Sequence, residues 1–449
     1  MRRSPRLFLG VIAAGLALSG VLTAEGAATN PGPSPGATGP SAQSSALYCT
    51  GLTDSHGQMR GRVTFINTTA SPRQVVVHAV ATGATAAVAT AFFLGPYGRR
   101  VLAPTTLLVG DTYALAAQID GGGVSAEQEV TRTGAPAACT NAGVTNWYGS
   151  GFDSSVGSRA TLSVYNPTAT AAVFNVTTFS PAGFLSPAPL QGLSVGPHAV
   201  LAINLGEEVV ATQNFGAQVS VLRGSLVVME DQVSGTTASM NSGTPVLAST
   251  GTFPLVTTAN QAMAEVRIAN PGPAPAHVIL RVKLGRFHVA AQSATVAPYH
   301  SAFITITPNT AIPAAGEASL TMTADRPVAA TLATGTRDGL KLSPLTPTVS
   351  RAILADVSGA GFAQATFTNA SQRATRVTWK LIRHGAVTAS GTSPLDKGVT
   401  LSWGQVLGGR SKLRGATLIA TSPVADLVMN ATLNTTPAGV TMAAPLDGG

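Results

Sequence analysis

TLSVYNPTATAAVFNVTTFSPAG, residues Thr161–Gly183, is the stretch on which the fold turns. Leu162 and Val164 stand four and two places before Asn166, and Phe174 and Val176 stand eight and ten places after it. Apolar residues at every second position on both sides of an Asn-Pro turn describe two strands that each bury one face. The same reading recurs without a gap around Asn67 (Val63, Phe65, Val75, Val77, Ala79), Asn270 (Val266, Ile268, Val278, Leu280, Val282) and Asn369 (Ala365, Phe367, Val377, Trp379, Leu381). Successive Asn residues lie 99, 104 and 99 positions apart. That period is the size of a small domain with its own core, larger than a solenoid repeat.

Each copy carries further shared signals. Eleven places after the Asn stand His78, Thr177, Arg281 and Lys380, which the alternation assigns to the solvent face of an antiparallel sheet. The turns beginning Asn67-Thr68-Thr69, Asn166-Pro167-Thr168, Asn270-Pro271-Gly272 and Asn369-Ala370-Ser371 combine turn formers with strand breakers. Downstream come Leu94-Gly95-Pro96, Val195-Gly196-Pro197 and Val296-Ala297-Pro298, with Leu395-Asp396-Lys397 at the same offset in the last copy. Arg326-Pro327-Val328 and Ser422-Pro423-Val424 break one late strand and begin another. Six or seven short strands per copy predict an all-β chain of tandem immunoglobulin-like β-sandwiches. The expected divisions are 46–140, 141–246, 247–345 and 346–449. Placed end to end, four such units would reach on the order of 130 Å.

The N-terminus precedes these units. Arg2, Arg3 and Arg6 lead into an apolar run from Leu7 to Ala24, so 1–24 is a signal peptide or a membrane-anchor helix. At the lower limit of bilayer-spanning length, and diluted by Gly10, Gly15 and Gly20, it fits cleavage and retention equally. Residues 25–45, rich in Gly, Pro and Ser, read as a disordered linker. Export places the folded part outside the cytoplasm, secreted or tethered. Cys49 and Cys139, the two cysteines of the chain, bracket the first copy, and in an exported protein such a pair reads as a disulfide. A metal site is the competing reading, and it needs ligands that neither Cys has nearby.

With 10% charged residues and a formal net charge of +8, the chain is weakly charged overall but unevenly so. The second copy carries −3, the third +3 and the fourth +5. Basic residues without interleaved aromatics argue against nucleic acid. Outside the cell they suit an anionic wall polymer, and Arg281, Lys283, Arg286, Arg376, Lys380 and Arg383 are the candidate contacts. A merely solvated face is the bland alternative.

No motif for catalysis, cofactor or metal stands out. The seven His residues form no HxH, HExxH or HxxxH pair. Gly149-Ser150-Gly151 is no nucleophile elbow, and Gly121-Gly122-Gly123 reads as a hairpin tip. Glu207-Glu208 and Glu230-Asp231 are the adjacent acidic pairs, whose members point to opposite faces of a strand. Asn67, Asn175, Asn369, Asn430 and Asn434 head N-glycosylation triplets. The anchor-like start, Tyr48-Cys49, the strand-Asn-Pro-turn unit and Trp147-Tyr148-Gly149-Ser150-Gly151 together resemble an actinobacterial exported cell-envelope family catalogued as domain of unknown function 5719. The resemblance covers nearly everything after the linker. It implies an envelope protein of high-GC Gram-positive bacteria with no assigned activity, and it transfers no functional residue. The expected role is non-enzymatic: binding or spacing envelope components, an anionic wall polymer or a partner protein. The alternatives are an accessory subunit of an envelope enzyme or transporter and, behind it, a wall-directed hydrolase.

Overall fold

The computed structural model describes residues 44–53, 61–84, 86–130, 137–235, 237–257, 263–284, 287–306, 317–336, 339–345, 351–355, 362–369, 373–396, 400–402, 416–423, 427–433, 440–442 and 444–445. The expected signal or anchor segment and nearly all of the expected linker lie outside these residues. The first strand begins at Ser44, two residues inside the stretch read as linker.

The first sandwich contains β1 (Ser44–Thr53), β2 (Gly61–Asn67), β3 (Arg73–Ala81), β4 (Val88–Leu94), β5 (Arg99–Leu102), β6 (Thr112–Asp120), β7 (Val124–Val130) and β8 (Ala137–Ala138). Its sheets, ordered β1-β6-β3-β4 and β5-β2-β7-β8, enclose one core that includes Val63, Phe65, Val75, Val77, Leu115 and Ala126. The second contains β9 (Asn146–Phe152), β10 (Ser158–Tyr165), β11 (Ala172–Ser180), β12 (Gly183–Leu185), β13 (Leu193–Val195), β14 (Val200–Asn204), β15 (Phe215–Arg223), β16 (Val227–Ser234) and β17 (Thr237–Asn241). Its sheets are β12-β11-β15-β9, with β13 also on β11, and β14-β10-β16-β17.

The third contains β18 (Ala248–Thr257), β19 (Met263–Asn270), β20 (Ala276–Leu284), β21 (Phe287–Val296), β22 (His300–Ile306), β23 (Glu317–Thr336) and β24 (Gly339–Pro344). Here one long strand serves both sheets. The first part of β23 pairs with β18 and β20, and the part after Pro327 pairs with β19 and β24. The fourth contains β25 (Arg351–Ala355), β26 (Phe362–Asn369), β27 (Thr375–Arg383), β28 (Ala386–Leu395), β29 (Thr400–Ser402), β30 (Thr417–Thr421), β31 (Leu427–Leu433), β32 (Val440–Met442) and β33 (Ala444–Pro445). Its sheets are β28-β27-β30-β25-β33 and β29-β26-β31-β32. One strand order, with all pairings antiparallel, is therefore used in all four copies. Among the described residues the first, second and fourth copies have more strands than the six or seven expected, while the third has seven because β23 runs through both sheets.

The repeated Asn is a structural pin. Asn67, Asn166, Asn270 and Asn369 are all buried at the end of the second strand of their copy. Asn166 Nδ2 donates to the carbonyls of Thr170 at 2.7 Å, Val195 at 3.1 Å and Gly196 at 3.0 Å, while Oδ1 accepts from the Thr168 N–H at 3.0 Å. Asn67 does the same with Ser71, Gly95 and Thr69, and Asn270 with Ala274, Val296, Ala297 and Gly272. Asn369 Nδ2 reaches Arg373, Leu395 and Asp396. One amide thus folds its own turn and fastens it to the segment where the chain crosses between sheets. The Pro motif completes the joint: after Pro96, Pro197 and Pro298, Tyr97, His198 and Tyr299 adopt left-handed φ of 52°, 51° and 60°. Their N–H groups donate back to Thr69, Thr168 and Gly272 in the Asn turn.

One sequence reading changes, and two points left open by the sequence are answered. Gly121-Gly122-Gly123, all at positive φ, is a corner between sheets, because β6 and β7 belong to different sheets. Asn67 and Asn369 do not fit as glycan acceptors in the folded chain, since their amides are buried and bonded. Ile382 and Ile419 of the fourth sandwich join the core cluster of the first. The first copy also packs on the second, the second on the third, and β18 of the third touches β31 of the fourth. The Cys49–Cys139 disulfide is present, joining β1 to the segment after β8. Closing a loop of this size contributes on the order of 4 kcal/mol in the chain-entropy account.

Asn166→Ala should destabilise the full chain by about 3 kcal/mol, because buried carbonyls lose their donor. Asn166→Asp should cost at least as much, since a carboxylate cannot donate. Denaturant midpoints test both, and a neutral Asn166→Asp would refute the pin.

Candidate functional site

The chemistry-bearing side chains gather at the seams between sandwiches. Two successive seams use one geometry. Val80 and Phe179, each thirteen places after its Asn, face Tyr165 and Ala269, each directly before the next copy's Asn. Tyr48 and Tyr148 occupy matching places beside them. The same joint is filled differently in the two cases.

At the seam of the first and second sandwiches the joint is open. A cleft of about 540 Å³ lies between them, lined among others by Tyr48, His78, Gln118, Tyr165, His198 and small residues including Ala84. The Tyr48 and Tyr165 rings meet with centroids 6.2 Å apart, tilted by 41°. Burial pushes the Tyr165 hydroxyl up to about 12, with Tyr48 adding to the effect, and burial also raises Tyr48. Both phenols therefore stay neutral and able to donate and accept.

The seam of the second and third sandwiches holds a buried polar cluster. Glu230, on β16, points into the second sandwich, since it pairs across the sheet with Leu162 of the core. Gly149 and Gly151 on β9 make room for it: a Cβ on Gly151 would sit 2.6 Å from its Oε1. Asn241 Nδ2 donates to Glu230 at 2.8 Å and to Thr331 Oγ1 of the third sandwich at 3.1 Å. Ser150 Oγ also reaches Thr331, at 2.9 Å. Arg267 of β19 enters from the third sandwich, its Nη1 donating to the Gly151 carbonyl at 2.8 Å. The guanidinium lies 3.6 Å from Glu265 and 3.8 Å from Asp153.

The electrostatics follow from burial. Desolvation raises Glu230 to about 8, against the opposing pull of the Asn241 hydrogen bond and the Arg267 charge. Glu230 is therefore protonated at neutral pH, and Arg267 is balanced by Glu265 and Asp153. Burial also raises Asp231, which faces the opposite way, accepts from Ser163 Oγ at 2.6 Å and lies against Gly51 of the first sandwich. The acidic pair noticed in the sequence is thus two separate seam residues, each shifted upward by burial.

The other candidates are scattered. Arg376 and Lys380 are exposed on one face of β27, and Arg281 is exposed on β20 at the position matching Lys380. Arg383 is half-buried and has partners of its own. The Lys283 side chain and all of Arg286 lie outside the described residues, as do the side chain of Asn430 and all of Asn434. The described structure brings Arg376 and Lys380 together in a row but shows no contact joining them to Arg281. Glu207 bonds Asn204 on the surface. Among the described residues no group of three His, Cys, Asp or Glu side chains is placed to hold a metal, and no helix is long and apolar enough to cross a membrane. Sequence reading missed Arg267, Asn241 and the tyrosine cleft. The one available signal was Gly149-Ser150-Gly151, whose glycines exist to admit the Glu230 carboxyl.

Glu230 gives a pH dependence of definite sign. The unfolded chain releases this proton near 4.5 and the folded chain near 8. The folded state thus binds more protons between those values, and stability falls as pH rises through that window. Glu230→Gln should flatten the fall and stabilise the protein at pH 8 by a few kcal/mol, on the order of the linkage term. Unfolding midpoints between pH 5 and pH 8 provide the measurement, and parallel curves for the two proteins would contradict the assignment.

No family model matches the chain, and no curated protein matches it. Among solved structures it is similar to the crystal structure of a tetra-tandem repeat in the extending region of a large adhesion protein. The identity is 14%, over 90% of this chain and 100% of that one, and the TM-score is 0.12. At that score the likeness carries no argument about this chain.

Proposed function

We propose that this is a non-enzymatic, extracytoplasmic binding protein of the cell envelope that holds an anionic polymer on the outer sheet faces of its third and fourth sandwiches. The observation that carries the reading is the row on β27. Val377, Trp379 and Leu381 point inward, while Arg376, Thr378 and Lys380 point out into solvent. Arg281 stands on β20 at the position of Lys380, so the third and fourth copies share a cation there. Two cations on alternate outward positions of a strand lie about 13 Å apart, so each can meet a separate charge along an extended polymer.

The disulfide supports an oxidising compartment and hence export. The membrane is reached, in this reading, only through residues 1–24. The buried, mutually separated carboxyls Glu230 and Asp231 support a structural rather than a hydrolytic use of that pair. The actinobacterial family named above is the fitting origin for such a protein.

Full-length protein should be retained on immobilised polyglycerol phosphate at low ionic strength and released as salt rises, because exposed charge pairs are screened. Arg376→Gln combined with Lys380→Gln should lower the salt needed for release. Retention that ignores both salt and the double substitution would remove the proposal.

A further inference from the structure

The seam between the first and second sandwiches differs from the seam that follows it by a missing plug. In the second sandwich, the hairpin glycine Gly183 is followed by Phe184, whose ring packs on Tyr299 of the third sandwich at 5.5 Å between centroids. Tyr299 is the left-handed residue after Pro298, and its counterpart after Pro197 is His198. In the first sandwich the hairpin glycine, Gly83, comes one place earlier relative to its Asn and is followed by Ala84. An aromatic pair packs at one seam, and at the other Ala84 and His198 line an open cleft.

The geometry points to this cleft as a binding site for an uncharged sugar ring of a glycan. Its volume lies within the range of about 300–1,000 Å³ usual for small-molecule sites. The lining contains no Lys, Arg, Asp or Glu, so a charged ligand would find no counter-ion there. What the walls offer is ring surface from the half-buried Tyr48 and the exposed His198, with hydroxyl, imidazole and amide groups at Tyr48, His78, His198 and Gln118 beside the nearly buried Tyr165. A pyranose presents the complementary surface: an apolar C–H face against rings and hydroxyls toward mixed donors and acceptors. This site is separate from the cationic row on β27 and stands or falls independently of it.

Titration calorimetry of the full-length protein with maltohexaose, cellohexaose, mannohexaose and chitohexaose, each to about 1 mM, tests the site, with hexagalacturonate as the charged comparison. One of the neutral sugars should bind once per chain and more tightly than hexagalacturonate. Ala84→Phe restores the ring present after Gly183 and should weaken that binding about tenfold or more. His198→Ala, on an exposed turn, should weaken it without lowering the unfolding midpoint, and so covers the case in which Ala84→Phe disturbs folding. Failure of every neutral sugar to bind, preference for hexagalacturonate, or affinity unchanged in both variants would overturn the assignment.

Discussion

A buried side-chain amide can stabilise a fold only if its donors and acceptor are all used, and each sandwich here is organised around one that is. The Asn at the end of the second strand ties three backbone carbonyls and one N–H into a single joint. Those carbonyls belong to the turn between strands of different sheets and to the segment where the chain crosses back. Without the amide they would be buried and unpaired, a penalty of about 1–3 kcal/mol for each group. The joint therefore fastens the turn between the two sheets to the segment that crosses back. Asn is the residue type that fits: Asp lacks the donors, and Gln would need a longer reach in a site already filled.

Because the joint lies at one pole of each sandwich, it also decides how sandwiches meet. The residue directly before the Asn, Tyr165 or Ala269, is presented to the preceding copy. The left-handed residue after the Pro, His198 or Tyr299, lies alongside. Duplication copied this contact and divergence refilled it. One seam keeps an aromatic plug above a cluster of buried polar groups, and another keeps small residues around a cleft. Arg267 illustrates the cost of such refilling. A buried guanidinium is tolerable only with carboxylates close by, and Glu265 and Asp153 supply them.

Much of this was legible from residue order. The four copies, their period-two strands and the two-faced sheets follow from local spacing, since a strand's alternation is a property of neighbouring residues, and the disulfide follows from there being just two cysteines. Val278 and Trp379 are buried as their phase requires. The reading went astray where residues distant in the chain meet. Gly121-Gly122-Gly123 looks like a hairpin tip locally and is a corner between sheets, because the choice of strand partner is not local. Asn67 and Asn369 match an acceptor triplet in one dimension and are enclosed in three. Glu230 and Asp231 were recognisable as oppositely directed, but not as seam residues, because their surroundings come from other copies.

Sequence by itself determined the repeated unit, its strand phase and the residues of its core, since burial of every second side chain is encoded by the chain's own periodicity. Tertiary structure alone decided that the first sandwich closes against the fourth, that Glu230 is held protonated beside Arg267, and that Tyr48, Tyr165 and His198 surround a cleft. Those outcomes depend on which surfaces of different copies meet. Contact between surfaces 100 or 300 residues apart leaves no period in the sequence, only the small residues that make room for it.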